Sequence, residues 1–334
     1  MSDAVWNEVL DEFRTLGGIA ENIRLGEGKL GRGLFPIDPA MPVRLHTPEN
    51  LLIKVSDVVF ENGVLRISPS ANVSARERKF FEDYHARISW GGGGRTEIET
   101  IFELAQALPD ALRRDLRAKY RCGSWFDEPV TSLIERAFID SREFGYGDRD
   151  VMMPLIELAN HGDACTYGCE RGISIEGIVK DEVTVRYAET DTYGVFRSWG
   201  FDTGASLAFS IELEGTIDSA RLLLERRTDG VQNGPSPWVP TPTANGEVFK
   251  LNFLMLGNNN YPRLCRGIFR RVVREAGFKD ADETFDKIRR ANFRHFLGLI
   301  EDLETVEGPM AQSLRRMARR QLQALSNCFG AREV

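Results

Sequence analysis

Through residues 17–69 the apolar positions come in short runs cut by turn residues, and no helical stripe crosses them. Val58-Val59-Phe60 and Val64-Leu65-Arg66-Ile67 flank Glu61-Asn62-Gly63. Asparagine and glycine both tolerate the left-handed backbone of a tight turn, so this stretch predicts a hairpin. Pro36, Pro39, Pro42 and Pro48 lack the backbone donor of a helix interior and exclude a long helix between them. From residue 74 the period changes. Ser74 and Glu77 form a capping-box pattern ahead of Phe80, Phe81 and Tyr84. Ile98, Ile101, Phe102, Ala105 and Leu108 recur at helical spacing up to Pro109. Leu112, Leu116 and Tyr120 predict another helix, as do Leu133, Ile134, Ala137 and Phe138.

Alternation returns at Val183, Val185 and Tyr187, and again at Leu207, Phe209, Ile211 and Leu213. Val248 to Leu256 reads as a further strand. Beyond Pro262 the spacing is helical again. Leu264, Ile268, Val272 and Ala276 give one stripe, ended by Gly277. Phe285, Ile288, Phe296, Leu299 and Leu303 give a second, and Leu314, Met317, Leu322 and Leu325 a third. A strand-rich frame holding a helical block and ending in a helical tail predicts an α+β protein. Its expected segments are 17–73, 74–140, 141–213 and 214–334, the last helical from about residue 262.

Composition narrows the function classes. At 334 residues the chain suits two or three packed units. Its formal net charge of −7 lacks the basic footprint of a nucleic-acid binder. No apolar run is long enough for a membrane span. Asp3, Glu8, Asp11 and Glu12 crowd the start in place of a basic and then apolar leader, so the expected location is the cytoplasm. Cys122, Cys165, Cys169, Cys265 and Cys328 are odd in number and scattered, which argues against a disulfide framework.

Three local patterns point to chemistry that the surrounding residues do not support. Gly26, Gly28 and Gly31 have dinucleotide-fold spacing, but Arg32-Gly33-Leu34-Phe35-Pro36 follows, and no helix can start there to meet a pyrophosphate. Gly91 to Gly94 lack a following Lys-Ser or Lys-Thr and read as a flexible loop. His161, Cys165 and Cys169 are evenly spaced, yet a structural zinc site needs a second ligand pair, and no metal is expected. No serine-centred nucleophile elbow appears.

Three separated segments point elsewhere. Gly31-Arg32-Gly33-Leu34-Phe35 holds glycines whose missing Cβ permits close backbone approach. Met153-Pro154-Leu155-Ile156-Glu157-Leu158-Ala159-Asn160-His161 ends in an Asn-His pair. Glu182 to Tyr187 is followed by Ser198-Trp199-Gly200-Phe201. In this order they resemble the "GxGL", "PLxDxxNH" and tyrosine-then-"YGF" segments of the SET-domain protein methyltransferases. Ser141-Arg142-Glu143-Phe144 matches the "SRxF" element of the Rubisco large-subunit methyltransferase branch, which also has a helical insert and a helical C-terminal domain.

That resemblance implies a mostly β SET core with a pseudoknot, a helical insert and a C-terminal domain that helps hold a substrate protein. It implies S-adenosylmethionine as cofactor and methyl transfer to a protein side chain, most plainly a lysine. Tyr187 would be the catalytic tyrosine. Arg32, Gly33 and Leu34 would meet the cofactor through backbone, Arg142 would pair with its carboxylate, and Asn160 and His161 would lie against it. Phe144, Trp199 and Phe201 would line the acceptor channel. Two departures matter. Trp199 stands where a tyrosine is usual, which removes a hydroxyl from the acceptor site, and Gly162 departs from the common "NHSxxPN" form. An inactive protein-binding module of the same fold and a protein-histidine methyltransferase are the alternatives.

Overall fold

The computed structural model describes residues 3–121, 123–204, 206–226 and 238–327; Cys122 and Cys328 lie outside them. The chain opens with α1 (Asp3–Thr15), which the sequence reading left unassigned. Trp6, Val9, Leu10 and Phe13 recur at helical spacing and are buried along one face, so the helix is held by packing rather than by propensity. Short strands follow: β1 (Ile19–Glu21), β2 (Ile23–Gly28), β3 (Gly31–Pro36), β4 (Val43–Pro48), β5 (Ile53–Lys54), β6 (Val58–Glu61) and β7 (Val64–Ile67). The hairpin expected at Asn62-Gly63 joins β6 to β7, with both residues at positive φ (53° and 74°).

The helical insert holds α2 (Ala75–Arg87), α3 (Arg95–Gln106), α4 (Asp110–Tyr120), α5 (Gly123–Phe126) and α6 (Thr131–Asp140). The capping box is formed: Ser74 Oγ accepts from the Glu77 amide and the Glu77 carboxylate from the Ser74 amide. The residues read as a loop at Gly91–Gly94 are a tight π-turn instead, Trp90–Gly94. A Cβ on Gly91 would lie 2.2 Å from the Ala86 carbonyl oxygen, so these glycines permit close packing rather than motion. After the insert come β8 (Glu143–Tyr146), β9 (Arg149–Met152), β10 (Asn160–Gly168), β11 (Gly172–Gly177) and β12 (Thr184–Val185).

The insert is not a unit of its own. One compact unit takes Met1–Glu99 and Val130–Ala188; a second takes Thr100–Pro129 and Glu189–Val334. In the first, β1-β4-β11-β10-β12 form one sheet, β5-β9-β8 another, and β2–β3 and β6–β7 are hairpins. Its core gathers Phe13, Leu34, Val43, Leu45, Tyr84, Ile156, Ile173, Ile175, Val183 and Val185 from α1, α2, the strands and the turns beside them. Burying each large apolar side chain contributes about 1.5–3 kcal/mol. The strand expected over 182–187 is only two residues long, and Tyr187 lies beyond its end. This segment is gripped on both sides: Val183 donates to the Leu34 oxygen at 2.8 Å, and β12 pairs in parallel with β10.

The second unit adds α7 (Thr192–Trp199), β13 (Leu207–Phe209), β14 (Leu213–Ile217), β15 (Ala220–Leu224), β16 (Pro242–Ala244), β17 (Val248–Leu251) and β18 (Met255–Asn258). The tail is α8 (Leu264–Glu275), α9 (Ala281–Glu304) and α10 (Pro309–Asn327), as its stripes predict. Tyr120 at the end of α4 stacks on Tyr193 of α7 with centroids 4.0 Å apart. The alternation from Leu207 to Leu213 is broken into two strands in different sheets. Side chains take the backbone donors at the break: Asp191 Oδ2 accepts from Phe209 N and Asn292 Oδ1 from Ile211 N. Val248 to Leu256 is likewise two strands, β17 and the start of β18.

Gly172 tests how tightly β11 is set on β4. It has φ +136°, and a Cβ there would meet the Thr47 oxygen at 2.3 Å and Pro48 Cα at 2.9 Å. Both neighbours are backbone and cannot yield cheaply. Gly172→Ala should destabilise the chain by more than about 1 kcal/mol, read as a lower urea midpoint at unchanged slope.

Candidate active site

The hairpin β2–β3 brings Arg32, Gly33 and Leu34 against residues more than a hundred positions later. Asn160 Nδ2 donates to the Arg32 oxygen at 3.1 Å and to Glu182 Oε1 at 2.6 Å. A Cβ on Gly33 would lie 2.5 Å from Glu182 Oε1 and 2.6 Å from Asn160 Nδ2. The close approach that glycine permits at this position is therefore made by two protein side chains. Leu34 turns into the core and is fully buried.

Two arginines converge beside this lock. Arg32 Nη1 donates to the Ile88 oxygen at 2.7 Å and to the Gly92 oxygen, tying β3 to the glycine turn. Its Nη2 lies 3.4 Å from Glu97 Oε1. Arg142 Nη2 donates to the other oxygen of the same carboxylate at 3.3 Å, while Nη1 donates to Ser141 Oγ at 2.8 Å. The Arg142 guanidinium lies over the Phe138 ring at 4.2 Å, which holds the fork flat. Its Nε is buried and has no partner among the described residues.

Tyr187 completes the group. Its hydroxyl donates to the Ala159 oxygen at 2.8 Å, and its amide donates to His161 Nδ1 at 3.3 Å. Burial pushes the phenol well above its ordinary value; Arg142 pulls the other way, and Glu157, Glu182 and Glu97 push with burial. The hydroxyl thus stays protonated, with its proton directed at a carbonyl. Beside it, Tyr167 of β10 packs on Phe144 with centroids 4.8 Å apart. Burial raises the Tyr167 phenol too, with Tyr187 the next contribution.

Behind these residues lies a buried polar knot. Glu157 Oε1 accepts from Tyr84 Oη at 2.9 Å and from Ser89 Oγ at 2.5 Å. The backbone carbonyl of the same Ser89 accepts from Gly94 N at 3.0 Å, so the carboxyl braces the glycine turn. Burial pushes Glu157 up against the pull of Arg142. His85 Nδ1 is 3.9 Å from Glu157 Oε1, beyond hydrogen-bond range, and neither ring nitrogen has a partner among the described residues. Burial drives His85 down to about 3, with the Arg142 charge adding to it. At neutral pH the imidazole is therefore uncharged, so the contact is not an ion pair. Leu155, just before the short 3-10 turn Ile156–Leu158 that carries Glu157, is held at φ 69°, a conformation that costs a branched residue energy and marks a constrained backbone.

No family model matches the chain, and no curated protein does. Solved structures do. The chain is similar to Rubisco LSMT bound to AdoMet, at 14% identity, over 98% of this chain and 91% of that one, with TM-score 0.46. It is similar to the SET domain of LSMT bound to lysine and AdoHcy, at 12% identity, over 96% and 89%, with TM-score 0.43. It is also similar to Rubisco LSMT bound to sinefungin and monomethyllysine, at 13% identity, over 97% and 90%, with TM-score 0.43.

Of the residues singled out in the sequence, Arg32, Gly33, Leu34, Arg142, Phe144, Asn160, His161 and Tyr187 all belong to the first unit. Trp199 ends α7 and Phe201 follows its Gly200 cap, and both belong to the second. Gly162 has a local cause: a Cβ there would lie 2.4 Å from Thr184 Oγ1, across the irregular β10–β12 pairing. Among the described residues no group of three or more potential metal ligands stands together, and no helix is long and apolar enough to cross a membrane. Glu97, Glu182 and Tyr167 are the residues that sequence reading missed. Only Tyr167 left a signal, as the residue sharing a strand face with buried Cys165 just after Asn160-His161.

His85 makes the buried knot measurable. A histidine depressed in the folded state stabilises above its unfolded value of 6.5, and that contribution is lost as pH falls from 6.5 toward about 3. Glu157, raised by burial, acts in the opposite sense. The difference between His85→Leu and the parent should therefore change with pH across this window, the variant losing less stability on acidification. Urea midpoints taken through the window measure it.

Proposed function

We propose that the chain is an S-adenosylmethionine-dependent protein N-methyltransferase acting on a lysine side chain. The observation that carries this reading is the Tyr187 hydroxyl, which stays protonated, donates to Ala159 O and stands within electrostatic reach of Arg142, Glu182 and Glu97. The residues present fit the cofactor. Its carboxylate needs a cation, and Arg142 offers a guanidinium fork whose Nε has no hydrogen-bond partner among the described residues. Gly33 stands at the same wall as Asn160 and His161, with the Arg32 and Leu34 oxygens already held by Asn160 Nδ2 and Val183 N. When bound, the cofactor supplies an electrophilic methyl on a sulfonium.

The protein's part is alignment and exclusion of water. Because the Tyr187 proton is committed to Ala159 O, the phenol oxygen offers its lone pairs outward, suited to polarised C–H groups or an amine N–H. A neutral phenol is no base, so the lysine has to arrive deprotonated, and an apolar approach along Phe144 and Tyr167 favours that form. The chain's own part would be to hold the amine in line with the methyl and let the methylated amine shed its proton to solvent. The second unit, with Trp199 and Phe201, is proposed to hold the substrate protein. Cys165 and Cys169 are free thiols, in keeping with the reducing cytoplasm as its compartment.

S-adenosylhomocysteine should raise the melting temperature, by an amount equivalent to about 2.7 kcal/mol at a hundred times its Kd. No shift at millimolar ligand would end the reading. Arg142→Ala should weaken that binding by about 1.5–3 kcal/mol, measured by calorimetry.

Tyr187→Phe should leave ligand affinity nearly unchanged and cost about 1 kcal/mol of stability for the lost bond to Ala159. Turnover, followed with radiolabelled cofactor and lysate proteins, should fall on the order of 10²-fold. Undiminished labelling would move the central role to another residue.

A further inference from the structure

The Glu97 carboxylate takes one hydrogen bond or ion pair on each oxygen, from Arg142 Nη2 at 3.3 Å and Arg32 Nη2 at 3.4 Å. The two guanidiniums are largely buried, at 11% and 13% side-chain exposure, whereas Glu97 is 48% exposed. So the carboxylate is the open member of the cluster. Both contacts are long for charge-assisted bonds, and each oxygen keeps lone-pair capacity for a further donor. Arg142 has five N–H donors, and its two terminal nitrogens make one bond each to Glu97 and Ser141. A ligand carboxylate on that fork would sit beside Glu97.

An α-amino acid carries its ammonium and carboxylate on a single carbon. A ligand whose carboxylate is taken by Arg142 therefore holds its ammonium within one hydrogen bond of an acceptor on the same fork. We propose that Glu97 is that acceptor: a specificity residue that recognises the α-ammonium group of the amino-acid end of the bound cofactor, rather than a mere counter-ion for the arginines. This rests on the methyltransferase reading above. It also gives Glu97 a reason to be a carboxylate at the start of α3, where the helix N-terminus already favours negative charge.

The test compares two ligands by calorimetry: S-adenosylhomocysteine, and the analogue in which the amino group is replaced by hydrogen. Glu97→Gln should weaken S-adenosylhomocysteine about tenfold to a hundredfold, the range for a hydrogen bond to a charged group. The amino-less analogue should bind the variant and the parent alike, and Glu97→Ala should repeat the pattern. Equal weakening of both ligands would mean that Glu97 only positions the arginines, and it would overturn the proposal. Unchanged affinity, or tighter binding of S-adenosylhomocysteine because a competing carboxylate is gone, would overturn it as well. If the parent chain binds neither ligand, the cofactor reading itself fails and this assignment falls with it. Thermal unfolding of each variant checks that its fold is intact.

Discussion

The site depends on one contact: the amide of Asn160, which reaches across Gly33 to the Arg32 carbonyl and to Glu182. Three segments far apart in the chain meet there. The first hairpin supplies the carbonyl and the space, the 160–168 strand supplies the amide, and the 182–187 segment supplies the carboxylate. An amide with two donors directed at two acceptors fixes its own rotamer, and with it the spacing of the segments. The neighbouring backbone bond from Val183 to Leu34 and the parallel pairing of β12 with β10 follow from that spacing. Tyr187, two residues past β12, inherits its position from this arrangement rather than from a strand of its own. Any side chain at position 33 would push Glu182 and Asn160 apart.

How much of this was legible follows from how local each signal is. The hairpin at Asn62-Gly63, the cap at Ser74 and the tail helices rest on residues a few positions apart, and their patterns were visible. So were Asn160, His161 and Tyr187, because each sits in a short segment with a recognisable order. Glu97 and Glu182 were not. Each is one acidic residue among the 50 in the chain, and its meaning comes from distant partners: Arg32 and Arg142 for Glu97, Asn160 for Glu182. The break between β13 and β14 was hidden for the same reason. Period-two alternation continues through it, and what ends the strand is the capture of its amides by Asp191 and by Asn292, the latter 81 positions away.

The insert shows a different limit. The periodicity of its helices says nothing of which unit each joins. Ile98 and Phe102 lie on one helix, yet the unit boundary falls between them, at Glu99. The glycine turn was misread because four glycines in a row carry the entropy cost of a loop unless something packs on them. Here the backbone of α2 and the Arg32 guanidinium do so, and Ser89, braced by Glu157, fixes the end of the turn.

That brace ties the buried carboxyl to the exposed chemistry. Glu157 is longer by a methylene than the aspartate its segment resembles, and it meets both Tyr84 and Ser89 through one oxygen. With burial raising it and Arg142 lowering it, the group lies between two environments of opposite demand. Were it absent, the turn that holds Arg32 would lose its support. The carboxyl's two hydrogen bonds shape the turn, and burial and Arg142 act on its charge in opposite directions. The Tyr187 phenol answers to the same set of charges, since Arg142 lowers it and the three glutamates raise it. The spacing set by Asn160 and the protonation states set by burial are thus two expressions of one constraint. Burial keeps the Tyr187 hydroxyl neutral, and the carboxylates of Glu157, Glu182 and Glu97 press the same way against the pull of Arg142.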